Sequence, residues 1–151
     1  MKRSRSPYYL ISLLLVVLLM GSIFFFSAQS APVSDTGSLT LTRILRQLTG
    51  KPVSNGVVRH FAHVLEFAAL GFWVLHLWNA RFRALRPFVA IALTGLYAWS
   101  DEIHQLFVPG RAFQYADVAV DLFGAVFGAA LATLLVLAAR AVRRKRENKV
   151  V

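Results

Sequence analysis

Four apolar runs, each close to the length of helix that crosses a lipid bilayer, constrain this chain more than any other feature. They cover about 8–26, 57–78, 87–107 and 118–139, and a transmembrane helix takes about 20 residues. No segment alternates apolar and polar residues over a strand length, which argues against a transmembrane barrel. Composition agrees. A soluble domain is near half apolar and about 25% charged, whereas these 151 residues are 57% hydrophobic and 16% charged, with a mean hydropathy of +0.58. The length suits one compact unit. The sequence predicts an all-α, integral membrane four-helix bundle: a basic segment 1–7, a transmembrane domain 8–139 and a basic tail 140–151.

The absence of cysteine excludes disulfides, thiolate metal sites and cysteine nucleophiles. The net charge of +10 raises a nucleic-acid partner, but its distribution argues for none: the basic residues sit at the ends of the apolar runs. Lys2, Arg3, Arg5, Arg81, Arg83, Arg86, Arg140, Arg143, Arg144, Lys145, Arg146 and Lys149 fall on one side. Arg43, Arg46, Lys51, Arg59 and Arg111 fall on the other. Basic loops stay cytoplasmic, so both termini are predicted inside, with 27–56 and the turn at 108–116 outside. Ala28-Gln29-Ser30 before Ala31 also resembles a signal-peptide cleavage site. The apolar stretch before it exceeds the usual 7–15 residues of such a peptide, which favours a retained first helix.

The third run ends in Ser100-Asp101-Glu102-Ile103-His104-Gln105. An ionisable residue costs about 2.5–3.5 kcal/mol at the bilayer centre and less near an interface, so it persists where it faces a bundle interior, a cavity or water. The predicted topology collects such residues at one depth. Ser27 and Gln29 end the first helix there; Arg59, His60, His63 and Glu66 begin the second; Asp101, Glu102, His104 and Gln105 end the third; Asp117 and Asp121 begin the fourth. Helical spacing groups them further. Asp101, His104 and Gln105 share a face, as do His60, His63 and Glu66. Asp117, Asp121, Gly124 and Gly128 form one stripe, acidic above and small below. Gly124-x-x-x-Gly128 lets a neighbouring helix approach closely, so the aspartates are expected to face inward with the glycines. Arg111, beside the Pro109-Gly110 turn, is expected to fold back over the carboxylates.

Plainer roles stand beside these. Asp117 can cap the fourth helix, His76 reads as interfacial like Trp73 and Trp78, and the basic run 143–146 reads as a topology determinant and headgroup contact. The cluster at 101–105 can be a structural polar knot. His60, His63 and His104 with the carboxylates offer nitrogen and oxygen ligands for zinc, although their spacing matches no standard zinc motif; no cofactor is the first expectation and zinc the alternative. Ser100 lacks a nucleophile-elbow motif. No Walker, dinucleotide or kinase pattern occurs.

At these residues the sequence resembles the VanZ-like membrane protein family. The likeness runs through Phe26-Ser27-Ala28-Gln29, Arg59-His60-Phe61-Ala62-His63-Val64-Leu65-Glu66-Phe67, the string from Ser100 to Arg111, and Asp117 to Gly124. Its most specific part is S-D-E-x-H-Q-x-F-x-P-G-R followed by D-x-x-x-[N/D]-x-x-G. His60 stands where the family usually has lysine, Asp121 where it has asparagine, and Phe67 where tyrosine is common. The resemblance implies a small integral protein of the bacterial envelope, multi-pass in the cytoplasmic membrane. The family's founding member is linked to low-level resistance to the glycopeptide teicoplanin.

Together these features predict an outward polar pocket that recognises an amphiphile: a membrane-lipid headgroup, a lipid-linked wall precursor or a lipoglycopeptide. Its residues are Arg59, His63, Glu66, Asp101, Glu102, His104, Gln105, Arg111, Asp117 and Asp121. The alternative is a membrane hydrolase or transferase on a lipid-linked substrate, with Glu102 or His104 as general base and metal assistance as an option. A proton-coupled transporter fits less well, since no charged residue continues the path inward and four spans are few unless the chain forms a homo-oligomer.

Overall fold

Proline and serine set where the helices begin. The structure, a computed structural model, describes residues 6–30, 36, 39–40, 42–44, 46–48, 50, 52 and 54–148. Lys2, Arg3, Arg5, Ala31, Lys51 and Lys149 lie outside the described residues. Helix α1 spans Pro7–Ser27; proline at the first position loses no bond, because that N–H has no intrahelical partner anyway. Ser6 Oγ accepts the Tyr9 N–H at 3.3 Å. Helix α2 spans Asn55–Phe82, capped by Ser54 Oγ on the Val57 N–H at 3.3 Å. It ends where Arg83 turns left-handed, φ 53°. Helix α3, Pro87–Gln105, again opens on proline, and helix α4 spans Tyr115–Glu147. Gly110, at φ 77°, makes the turn between them, a conformation that costs glycine little. Among the described residues there is no strand, and those between 36 and 48 are helical where the sequence suggested a plain loop.

Three contacts order the helices up and down. The Tyr8 hydroxyl meets the His76 ring, Arg140 Nη2 donates to Asn79 Oδ1 at 2.9 Å, and Ser27 Oγ donates to Asp101 Oδ2 at 2.7 Å. The first two lie at one end and the third at the other. His76 therefore bonds across to α1 rather than standing isolated. Helix α2 packs against all three others, whereas α1 and α3 touch each other only sparsely. The α2–α4 contact is the tightest, and glycine permits it. A Cβ on Gly124 would stand 2.5 Å from the Val64 carbonyl oxygen, one on Gly128 1.9 Å from that of Ala68, and one on Gly71 2.7 Å from that of Ala125. Small residues of this kind let backbones meet where lipid supplies no hydrophobic drive.

The distribution of polarity is inverted. Glu102, Asp121, Gln105, Thr94 and Ser12 are buried, while Leu14, Phe25, Leu96, Phe127 and Leu134 are exposed. A water-solvated bundle places charges outside, and so extensive an apolar surface requires an apolar surrounding. Three helices, Pro7–Ser27, Asn55–Phe82 and Tyr115–Glu147, are long and apolar enough to cross a membrane. The sequence suggested four. Helix α3 falls short because its last six residues are the polar stretch from Ser100 to Gln105. Helix α4 also runs past residue 139, through the basic stretch to Glu147, so that part of the tail is continuous with the span.

Candidate functional site

Four helix ends supply the polar cluster. Helix α3 winds down at Gln105, and its last two turns carry Asp101 and Glu102 inward, both buried along with Gln105. Helix α4 begins nearby with Asp117 in its first turn and Asp121 one turn on. The glycine stripe below fixes the face: with Gly124 and Gly128 against α2, Asp117 and Asp121 must face α2 as well. Both are buried there.

Each carboxylate is held from one side. Asp101 Oδ2 accepts from Ser27 Oγ at 2.7 Å and from Gln105 Nε2 at 3.2 Å. Glu102 Oε2 accepts the backbone N–H of Gln114 at 2.9 Å, and Gln114 is the residue immediately before α4. Glu102 thus ties the end of α3 to the start of α4. Gln114 Nε2 donates to Asp117 Oδ2 at 3.4 Å. Two imidazole–carboxylate pairs then link α2 to α4: His60 Nε2 with Asp117 Oδ1 at 3.3 Å, and His63 Nδ1 with Asp121 Oδ1 at 3.0 Å. The i, i+3 step of the histidines matches the i, i+4 step of the aspartates, because both pairs of positions lie one helical turn apart.

The other oxygen of three carboxylates meets no hydrogen-bond donor among the described residues. Asp101 Oδ1, Glu102 Oε1 and Asp121 Oδ2 are buried without a hydrogen-bond partner, as is His104 Nε2. An acceptor buried unsatisfied costs about 1–3 kcal/mol, and more when charged. The cluster is therefore rich in acceptors and poor in donors.

The expected residues are distributed unevenly over this arrangement. Asp101, Glu102, Gln105, Asp117, Asp121 and His63 form its centre. Glu66 lies one turn beyond His63, half-buried, and Arg59 lies half-buried in the first turns of α2. Arg111 was expected over the carboxylates; its described hydrogen bonds go to Gln105 Oε1 at 3.5 Å and to the Gln29 carbonyl at 3.4 Å. His104 stands apart, stacked on Phe24 with ring centroids 4.4 Å apart. The histidines do not converge: His60 and His63 take separate aspartates and His104 takes a ring. Among the described residues no group of three histidine or carboxylate side chains could hold a metal ion.

Sequence reasoning missed Gln114 and Phe24. Gln114 immediately precedes the fourth apolar helix, where a cap is needed, and that position was its only signal. Phe24 was indistinguishable from the other lipid-facing aromatics of α1.

No curated protein and no solved structure matches the chain. The model of the VanZ/LLP1 family matches residues 12–136, from the first helix through the cluster and down α4. This span contains every residue of the cluster just described, and the chain is a membrane protein of the VanZ/LLP1 family.

Proposed function

We propose that the protein is a multi-pass, four-helix bundle of the bacterial cytoplasmic membrane, with both termini inside, whose outer polar cluster binds the headgroup of an amphiphile. The observation that carries this reading is the set of three buried carboxylate oxygens, on Asp101, Glu102 and Asp121, that have no hydrogen-bond partner among the described residues. A ligand bringing hydroxyl, amide or ammonium donors recovers that cost. Membrane lipids, lipid-linked wall precursors and lipoglycopeptides all carry such donors beside an apolar chain, and the exposed apolar helix faces accept the chain. Arg59 and Arg111, at the rim, suit the anionic part of the same headgroups. Through a lipoglycopeptide or a wall precursor, binding here would affect sensitivity to teicoplanin-like antibiotics.

The test is native mass spectrometry of detergent-purified protein. A lipidic species should co-purify with wild type and fall away in Asp101→Asn, Glu102→Gln and Arg111→Ala, with membrane insertion retained. Equal retention in all three would sink the proposal. One observation favours a second reading, a hydrolase or transferase on a lipid-linked substrate: a buried carboxylate behind an imidazole, as in Asp121 and His63, is how a general base is oriented. That reading makes His63 rather than His104 the base, and it requires His63→Ala to abolish turnover without loss of binding.

A further inference from the structure

At the opposite end of the bundle a cavity of about 190 Å³ opens between α1 and α3, with α2 as its floor. Tyr9, Val74, Leu77, Trp78, Arg81, Phe82 and Leu93 line it. It lies between two helices that touch each other only sparsely. Three features give it a chemistry. Its wall is apolar apart from the phenol of Tyr9, the indole of Trp78 and the guanidinium of Arg81. The Trp78 Nε1–H is buried without an acceptor, and an indole nitrogen can only donate. The surrounding charge is of one sign: Arg81, Arg83 and Arg86 are exposed beside it, and no Asp or Glu occurs between Glu66 and Asp101.

An apolar slot with a buried donor and a guanidinium at its edge accepts a molecule with an anionic, acceptor-rich head and a hydrocarbon tail. We infer that this cavity is a second lipid site, one that holds an anionic phospholipid of the leaflet at the basic end. Arg81 and the Trp78 N–H bond the phosphate, and the chain lies between α1 and α3 along Val74, Leu77 and Leu93. The volume takes a phosphate and the first carbons of a chain; the remainder extends into the surrounding lipid. Basic pockets between transmembrane helices bind anionic headgroups on the same principle. The site is independent of the polar cluster, which lies at the other end of the helices.

The experiment offers the full-length protein in detergent equal amounts of phosphatidylglycerol and phosphatidylcholine with identical chains, and reads bound lipid by native mass spectrometry. Wild type should retain phosphatidylglycerol about fivefold over phosphatidylcholine, the effect of one basic residue near an anionic headgroup. Arg81→Gln should bring the ratio close to one. Trp78→Phe, which keeps the ring and loses the N–H, should lower retention of phosphatidylglycerol. Leu93→Phe, which fills the slot without touching a charge, should lower retention of both lipids, and circular dichroism shows that each variant is folded. Arg144→Gln on the neighbouring basic helix should leave the ratio unchanged, which separates this site from the tail. Equal retention by wild type, a preference that survives Arg81→Gln, or full retention in Leu93→Phe would each overturn the inference. So would displacement of the lipid by excess inorganic phosphate, since the site would then recognise free phosphate.

Discussion

Gly128→Ala should loosen the bundle at its tightest crossing. The added Cβ would lie 1.9 Å from the carbonyl oxygen and 2.7 Å from the carbonyl carbon of Ala68. These are backbone atoms of α2, so no rotamer change relieves the clash, and α2 and α4 must part by roughly 1 Å for the closest contact to reach 3.0 Å. Overpacking a well-filled interior costs about 1–3 kcal/mol, against which alanine recovers roughly 0.5–1 kcal/mol of helix propensity. The net loss is up to about 2.5 kcal/mol, which for a chain of this size lowers Tm by up to roughly 10 °C. Gly21→Ala is the control: a Cβ there meets nothing within 4 Å, so that variant should be as stable as wild type or slightly more so. Thermal unfolding of the three proteins in the same detergent measures the difference. Ala68→Gly should give no rescue, because the atoms struck belong to the residue 68 backbone. A Gly128→Ala protein as stable as Gly21→Ala, or rescue by Ala68→Gly, would refute the reasoning.

The polar cluster and the topology yield further expectations. Ser27→Ala removes the 2.7 Å donor to Asp101 and should cost about 1–3 kcal/mol in denaturant unfolding. Ser22→Ala, whose hydroxyl bonds Leu19 in its own helix, should cost much less. Glu102→Gln retains an acceptor for the Gln114 N–H and should unfold close to wild type, whereas Glu102→Ala leaves that N–H unsatisfied and should lose about 1–3 kcal/mol. Because the chain has no cysteine, Leu48→Cys and Asn148→Cys each introduce a single thiol at an exposed position. A membrane-impermeant maleimide should label the first in intact cells and the second only after permeabilisation; the reverse pattern would invert the proposed orientation. Arg140→Ala, which loses an exposed bond to Asn79, should change stability by less than about 1 kcal/mol.

Much of the fold follows from local chemistry that any reader of the chain can see. Pro7 and Pro87 open helices because their missing N–H matches a helix start, and the apolar runs between basic ends must be helices because of their length. The two glycines in register with Asp117 and Asp121 also told, without coordinates, which face of α4 turns inward: a 3.6-residue period leaves one face for four positions at i, i+4, i+7 and i+11. Gathering the polar residues at one depth needed only the up-down order of the runs.

Pairing lay beyond sequence. That His60 takes Asp117 and His63 takes Asp121 depends on how closely α2 and α4 cross at Gly71, Gly124 and Gly128, a distance that no spacing rule supplies. That Glu102 holds the start of α4 through the Gln114 N–H, and that His104 leaves the carboxylates to stack on Phe24, depends on where the chain re-enters after Gly110. The unsatisfied oxygens and the slot beside Trp78 are likewise products of packing. Period and composition determine which face a side chain occupies, because the helix repeat is a property of the backbone alone. Which atom it meets there is decided by the offset, rotation and separation of neighbouring helices, quantities set only when all four pack together.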